Sequence, residues 1–324
     1  MKFRDILLSM VCGLFFYSCK KPETGFLSDR LFYRNNPFAA SLGRVTTSLP
    51  IEADGSTVPL NVKLLAVRDK NGAPATKMTT EYEIAIYKGE ILPTDTTLAQ
   101  LTAKLGVGMY KPFNVNPIGG RLEVTPASVY ADTGTYDFDI EVSNVKGTRQ
   151  MNSIAKVRLT PAVDSQITRQ FASTSTPGQE LVFTTQSAFT VTVQRIPGPN
   201  RIIIKFVDKN GNKWNPQNNE VIPRVSLPLV TQVGLRYNYK QFNPYYNEVK
   251  TDTALVYEYP AKTPTFPLFA LNNAYTVSYR IPNNFNDLNL NINPEFGVRL
   301  YPLNVPYVDG TWIITNKINF AARL

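Results

Sequence analysis

The sequence predicts an all-β protein built as two tandem β-sandwich domains. Three observations point there. Apolar and polar residues alternate over short runs that end in Gly, Pro, Asn or Asp, as half-buried strands between turns require. The 324 residues include 24 prolines, 18 glycines, 17 tyrosines and 18 phenylalanines, with only 18% charged side chains. Two runs, Asp69-Lys70-Asn71-Gly72 and Asp208-Lys209-Asn210-Gly211, each close a strand with the same turn residues, one in each half of the chain.

The N-terminus precedes the sandwiches. Lys2 and Arg4 lead into an apolar run from Ile6 to Tyr17, followed by Ser18 and Cys19. A basic start, about a dozen apolar residues and a small residue describe a secretory signal, and the run is shorter than the roughly 20 residues a membrane span takes. A cysteine directly after the small residue reads as a lipidation site. Residues 1–18 are thus expected as a lipoprotein signal peptide, and residues 19–40 as lipid anchor and tether, attached to a membrane through Cys19. Losing Lys2, Arg4 and Asp5 with the signal lowers the formal charge from +9 to +8. The basic residues are scattered along strands without a cluster, so a solvated face is expected and nucleic acid is not a partner.

Composition narrows the chemistry. The chain has no histidine and only two cysteines, Cys12 and Cys19. A disulfide in the mature body, Cys nucleophiles, Ser-His-Asp triads and His-ligated metals are therefore excluded. Carboxylates, or Lys or Tyr as base, remain. No cofactor, no metal and no enzymatic activity are expected.

The first domain is expected over 41–162. Val58–Val67 alternates and ends at Asp69-Lys70-Asn71-Gly72, where Asn-Gly suits the positive φ of a type I′ hairpin turn. Glu81–Lys88 alternates again, with Tyr82, Ile84 and Ile86 on one face. One helix follows, capped by Thr94 or Asp95, lined by Leu98, Leu101 and Leu105 and stopped by Gly106, as a plug for one end of a sandwich. The most specific motif is Asp132-Thr133-Gly134-Thr135-Tyr136-Asp137-Phe138. In immunoglobulin-like sandwiches a tyrosine at the start of strand F turns its hydroxyl onto the preceding corner, two residues before a core cysteine. Tyr136 matches that tyrosine, and Phe138 stands where the cysteine would be. The first domain is accordingly expected to be immunoglobulin-like, with one short helix.

Around Thr160–Ser165 the pattern resets, which places the second domain, an aromatic-rich β-sandwich, over 163–324. Strands are expected at Glu180–Thr184, Phe189–Gln194 and Arg201–Val207, and a half-exposed one where Leu288, Leu290 and Ile292 alternate. The two Asp-Lys-Asn-Gly turns are not calcium loops, because Val67 and Phe206 stand where the first oxygen ligand would be. Ten of the 17 tyrosines lie beyond residue 163. Tyr237, Tyr239, Tyr257, Tyr259, Tyr275 and Tyr279 have the spacing of sheet-face packing. Tyr245 and Tyr246 are adjacent within Asn243-Pro244-Tyr245-Tyr246-Asn247, so one ring is expected in solvent. Trp214 sits beside a turn in Lys213-Trp214-Asn215-Pro216. Exposed aromatic faces among Asn, Gln and Lys stack on sugar rings, which makes Trp214, Tyr245 and Tyr246 the candidate ligand-binding residues.

The cysteine at position 19 followed by Lys20-Lys21, a polar tether, the Gly134-Thr135-Tyr136-Asp137-Phe138 domain and the aromatic second half resemble uncharacterised Bacteroidetes outer-membrane lipoproteins, commonly encoded beside SusC/SusD-type glycan importers. The resemblance implies an outer-membrane location, on the surface or periplasmic face, and an accessory, non-catalytic role in capturing polysaccharide, with an importer of that type as partner. Two alternatives stand beside it. An adhesin or pilin-like structural subunit would mature by cleavage after a basic residue such as Arg30, Arg34 or Arg44. A glycosidase would need two carboxylates about 5–5.5 or 6.5–9.5 Å apart, and Glu220, Glu248, Asp252 and Glu258 are the acids near the aromatic loops.

Overall fold

The computed structural model describes residues 25–92, 94–179, 182–224, 245–268, 276–302 and 310–324. The signal segment, Cys19, Tyr237, Tyr239 and Tyr275 lie outside the described residues. The protein is all-β: two β-sandwiches in tandem, the first immunoglobulin-like.

Nine strands follow one another in the first half: β1 (Phe38–Ser41), β2 (Thr46–Thr47), β3 (Asn61–Arg68), β4 (Tyr82–Tyr87), β5 (Leu105–Tyr110), β6 (Phe113–Val115), β7 (Leu122–Val124), β8 (Gly134–Asn144) and β9 (Gly147–Thr160). One sheet has the order β1-β9-β8-β3 and the facing sheet β2-β7-β6, while β4 and β5, among the described residues, pair only with each other. β1 runs parallel to β9, whereas β3, β8 and β9 are antiparallel. Phe138 fills the centre, fully buried, with Phe113 at 5.3 Å and Tyr33 at 5.8 Å between ring centroids. The hydroxyl of Tyr136 donates to the carbonyl of Asp132 at 2.7 Å, pinning the corner that enters β8. The sandwich begins earlier than residue 41. Leu31, Tyr33, Phe38 and Ala40 are all buried, so residues expected in the tether supply part of the core.

The Asp-Lys-Asn-Gly turns form, but not as type I′ hairpins. Only Gly72 (φ +82°) and Gly211 (φ +93°) take positive φ. The Asp69 carboxylate accepts from the N–H groups of Asn71 and Ala73, and Asp208 from those of Asn210 and Asn212. This side-chain bonding holds each turn through its aspartate. Beyond the first turn the chain returns to β3 only at its end, through the bridge of Arg68 to Pro74 and the Ala75 N–H on the Val67 carbonyl, then forms a one-turn helix α1 (Thr76–Thr79) with no further strand on β3 among the described residues.

The expected helix is α2 (Leu98–Lys104). Its cap is Thr97, whose side chain accepts from the Gln100 N–H while the Gln100 side chain accepts from the Thr97 N–H. This is a capping box, in place of the expected Thr94 or Asp95. Asp95 instead accepts from the Leu92 N–H and from Lys104. Leu105 has already entered β5. The helix does plug a sandwich, but the other one: Leu101 is fully buried in the second core, with Leu98 and Ile91 packed against that core.

The second half contributes β10 (Ser165–Ser175), β11 (Phe183–Gln186), β12 (Phe189–Pro197), β13 (Arg201–Val207), β14 (Ile222–Pro223), β15 (Tyr246–Lys250), β16 (Leu255–Glu258), β17 (Thr276–Arg280), β18 (Asn291–Leu300) and β19 (Gly310–Ile318). Among the described residues they form two five-stranded sheets, β11-β10-β18-β17-β14 and β12-β19-β13-β16-β15. Ile202, Ile204 and Phe206 point from β13 into the core, where Phe206 meets Tyr279 at 5.2 Å and Tyr279 stacks on Phe296 at 6.0 Å. The strand expected from Leu288 starts only at Asn291. Before it, buried Asn286 donates to the carbonyls of Pro282 and Leu290 and closes a loop.

Candidate functional site

The expected sugar-binding aromatics are inside the protein. Trp214 is fully buried and its indole N–H donates to the Phe285 carbonyl at 3.0 Å. Tyr245 packs at 5.2 Å on Tyr257, and Tyr246 at 6.1 Å on Phe266. The inference that one of two adjacent tyrosines faces solvent assumes that β15 has one open face. Tyr245 enters the sandwich core just before the strand begins. Tyr246 is covered by the insertion from the first domain, its hydroxyl donating to the Asp95 carbonyl. Burial raises both phenols, Tyr246 to about 12. Neither ring offers a stacking face to a ligand.

The acids named as glycosidase candidates have separate commitments. Glu220 is buried and holds Arg323 through two contacts of 2.7 and 2.8 Å. Glu248 accepts from the Tyr257 hydroxyl at 2.5 Å, and Glu258 from the Asn247 amide at 2.6 Å. Asp252 accepts from the Thr253 hydroxyl. Burial, then the neighbouring Tyr279 and the bond to Glu248, push the Tyr257 phenol far above its ordinary value. Among the described residues no group of His, Cys, Asp and Glu is arranged to hold a metal.

An exposed aromatic site exists elsewhere, on the sheet that ends in β11. Phe183 is 52% exposed and meets Phe171 edge-on at 6.5 Å. The Arg169 guanidinium lies 4.8 Å over the Phe171 ring and pairs with Glu295 at 3.0 Å. Glu295, directly across from Phe171, also holds Arg224 at 3.2 Å. The cluster combines an open ring with a fixed, half-exposed guanidinium. Phenylalanine gives an apolar face, and arginine gives planar N–H donors for hydroxyl or carboxylate oxygens. Glu295, shared between two arginines, is positioned as a strut. This arrangement suits binding.

From sequence, Phe183 belongs to the strand expected over Glu180–Thr184, of which residues 180 and 181 lie outside the described residues. The signal was present in Val182-Phe183: adjacent bulky residues in a strand point to opposite faces. Tyr245 and Tyr246 are both covered, while at the entry to the edge strand β11 both Val182 and Phe183 are exposed.

No protein family matches the chain, and no curated protein does. Among solved structures, it is similar to a SusE-like surface located polysaccharide binding protein from the Bacteroides thetaiotaomicron heparin utilisation locus, at 9% identity with a TM-score of 0.27, covering 89% of this chain and 53% of that one. It is also similar to the N-terminal four Ig domains of Dscam1, at 9% identity with a TM-score of 0.19, covering 89% and 52%. The chain thus spans about half the length of the solved structures it matches. Among the described residues no helix is long and apolar enough to cross a membrane.

Proposed function

We propose that this is a non-catalytic, lipid-anchored protein of the outer membrane that binds polysaccharide as an accessory to a SusC/SusD-type importer. Cys19 carries the lipid, residues 41–162 and 163–324 form the bulk of two domains, and the glycan contact is made by the second. The observation that carries the binding role is the exposed Phe183 ring braced by Phe171 beside the Arg169 guanidinium. It takes the place of Trp214, Tyr245 and Tyr246, whose burial removes them as sugar platforms. The separate engagement of Glu220, Glu248, Asp252 and Glu258 supports binding without cleavage.

The test is a glycan array probed with the soluble chain from Lys20, followed by Phe183→Ala and Arg169→Ala. An aromatic contact contributes about 0.5–1.5 kcal/mol, so Phe183→Ala should weaken binding several-fold. Binding indifferent to both substitutions overturns the site. No binding to any glycan overturns the function, and release of reducing sugar favours the glycosidase.

A further inference from the structure

We propose that the outer edge of β3 accepts an extended, acidic segment of a partner protein as an added strand. One sheet of the first sandwich ends at β3 and the other at β6, and these two edge strands lie against each other. A groove of about 740 Å³ lies along that seam, lined by Leu64, Leu65 and Ala66 from β3 and by Val115 from β6. Its two ends are sealed. The Val62 N–H donates to the Pro117 carbonyl at 2.8 Å, and the Ala75 N–H donates to the Val67 carbonyl at 2.9 Å. Between these seals, from Lys63 to Ala66, no described strand pairs with the outer edge. Backbone groups alternate in direction along a strand. With the Val62 N–H outward, those of Leu64 point outward too.

The route of the chain explains the open edge. The strand following the Asp69–Gly72 turn would be the natural neighbour of β3. It is β4, which pairs instead with β5 and carries α2 to the second sandwich. What remains is a notch of four residues, about 13 Å at strand rise, with unpaired peptide groups of the kind that template strand addition.

Charge selects the occupant. Among the described residues that line the groove, Lys63 and Lys111 are the charged ones and none is an acid. Glu141 lies across from Lys63 on β8, yet the two form no ion pair. Leu65, at the bulge between Leu64 and Ala66, is 39% exposed and gives an apolar contact. A second copy of this chain fits poorly, because self-pairing would bring two sets of these lysines to one seam. Edge lysines and bulges are the devices that discourage such pairing. An incoming strand that alternates apolar residues with Asp or Glu satisfies the backbone, the groove and both lysines.

The experiment uses the full-length chain and two labelled eight-residue peptides, one alternating Val with Asp and Glu, the other alternating Val with Lys. Fluorescence anisotropy should show saturable binding of the acidic peptide at least tenfold tighter than the basic one, with slowed hydrogen exchange at the Leu64 amide. Lys63→Glu with Lys111→Glu should reverse the preference, both positions being exposed. Phe183→Ala, which tests the polysaccharide site, should leave peptide binding unchanged. Equal affinity for the two peptides, no saturable binding up to millimolar concentration, or indifference to the charge reversal overturns the proposal. Concentration-dependent dimerisation abolished by the same double substitution also overturns it, in favour of self-pairing.

Discussion

The hydroxyl of Tyr246 donates to the backbone carbonyl of Asp95 at 3.2 Å, across 151 residues of sequence. The contact joins the second sandwich to an insertion of the first. Tyr87 and Thr263 share a hydroxyl bond of 2.9 Å nearby. Arg44 bonds Gln166 at 3.1 Å and lies 4.6 Å over the Tyr301 ring. Neighbouring domains ordinarily move against each other unless a sizeable apolar interface holds them. Here the interface includes Leu101, a residue of one domain buried in the core of the other.

Leu101→Ala is therefore expected to destabilise the second sandwich. Truncating a fully buried leucine costs about 2–5 kcal/mol, depending on how far the cavity collapses. Denaturant unfolding followed by hydrogen exchange should show lost protection in β13 and β16 as well as in α2. Loss confined to residues 82–110 would show that the insertion docks without supporting the second core.

Tyr136→Phe tests the corner of the first sandwich. The substitution removes one donated bond to the Asp132 carbonyl while keeping the ring. A typical intramolecular hydrogen bond contributes about 0.5–1.5 kcal/mol net. The unfolding midpoint should fall accordingly, with polysaccharide and peptide binding unaltered at saturation. An unchanged midpoint would mean that water replaces the bond at no cost.

Local chemistry was legible where the chain alone decides it. Arg201–Val207 is a strand over the expected span because Ile202, Ile204 and Phe206 alternate inward. Tyr136 and Phe138 occupy corner and core because turn, hydroxyl and apolar bulk lie within seven residues. What was not legible depends on distant chain. Leu101 looks like any leucine on an amphipathic helix, and nothing local tells which core receives it. One ring of Tyr245-Tyr246 is expected in solvent until a segment about 150 residues away covers Tyr246. Leu31, Tyr33 and Phe38 lie in a Pro- and Asn-punctuated stretch without period, yet they are pinned by long-range contacts such as the Tyr33 hydroxyl on the Gly120 carbonyl.

Acid should weaken the fold through Asp139 and Asp208. The bond from Arg68 holds the Asp139 carboxyl below the usual range, against its burial. Burial opposes ionisation of Asp208, but donors from Arg323, Asn212 and Asn210 outweigh it and lower its pKa as well. A depressed folded pKa gives stability that is complete above the unfolded value, about 3.9, and is lost as pH falls through the folded one. Unfolding midpoints should hold from neutrality to about pH 5 and drop below about pH 4. Asp208→Asn should flatten part of that acid limb. A limb of unchanged steepness would assign the loss to other carboxylates.

Limited trypsin digestion discriminates among the basic residues considered for maturation. Arg30 is exposed, and Arg34, 64% exposed at its side chain, pairs only with Glu52 among the described residues. Arg44 is half-buried between the domains, stacked on Tyr301 and bonded to Gln166. Cleavage should appear first after Arg30 or Arg34, with Arg44 resistant in the folded protein. Rapid cleavage after Arg44, with release of the segment carrying β1, would support a structural subunit that sheds its first strand.

Trp214 and Phe183 separate folding from binding. Trp214 is fully buried with its indole N–H bonded to Phe285, so Trp214→Ala removes a large core side chain. A loss of about 3–5 kcal/mol is expected, enough to unfold a marginal domain. Phe183 is half in solvent on an edge strand, and its truncation should cost well under about 1 kcal/mol, as surface changes usually do. Circular dichroism melts and polysaccharide titration on both variants give the comparison. Phe183→Ala should melt near wild type and bind several-fold more weakly. Trp214→Phe, which preserves most of the bulk, should bind as wild type at temperatures where it is folded. If Trp214→Phe loses binding while its melt is unchanged, the ligand reaches the interior and the surface site at Phe183 is wrong.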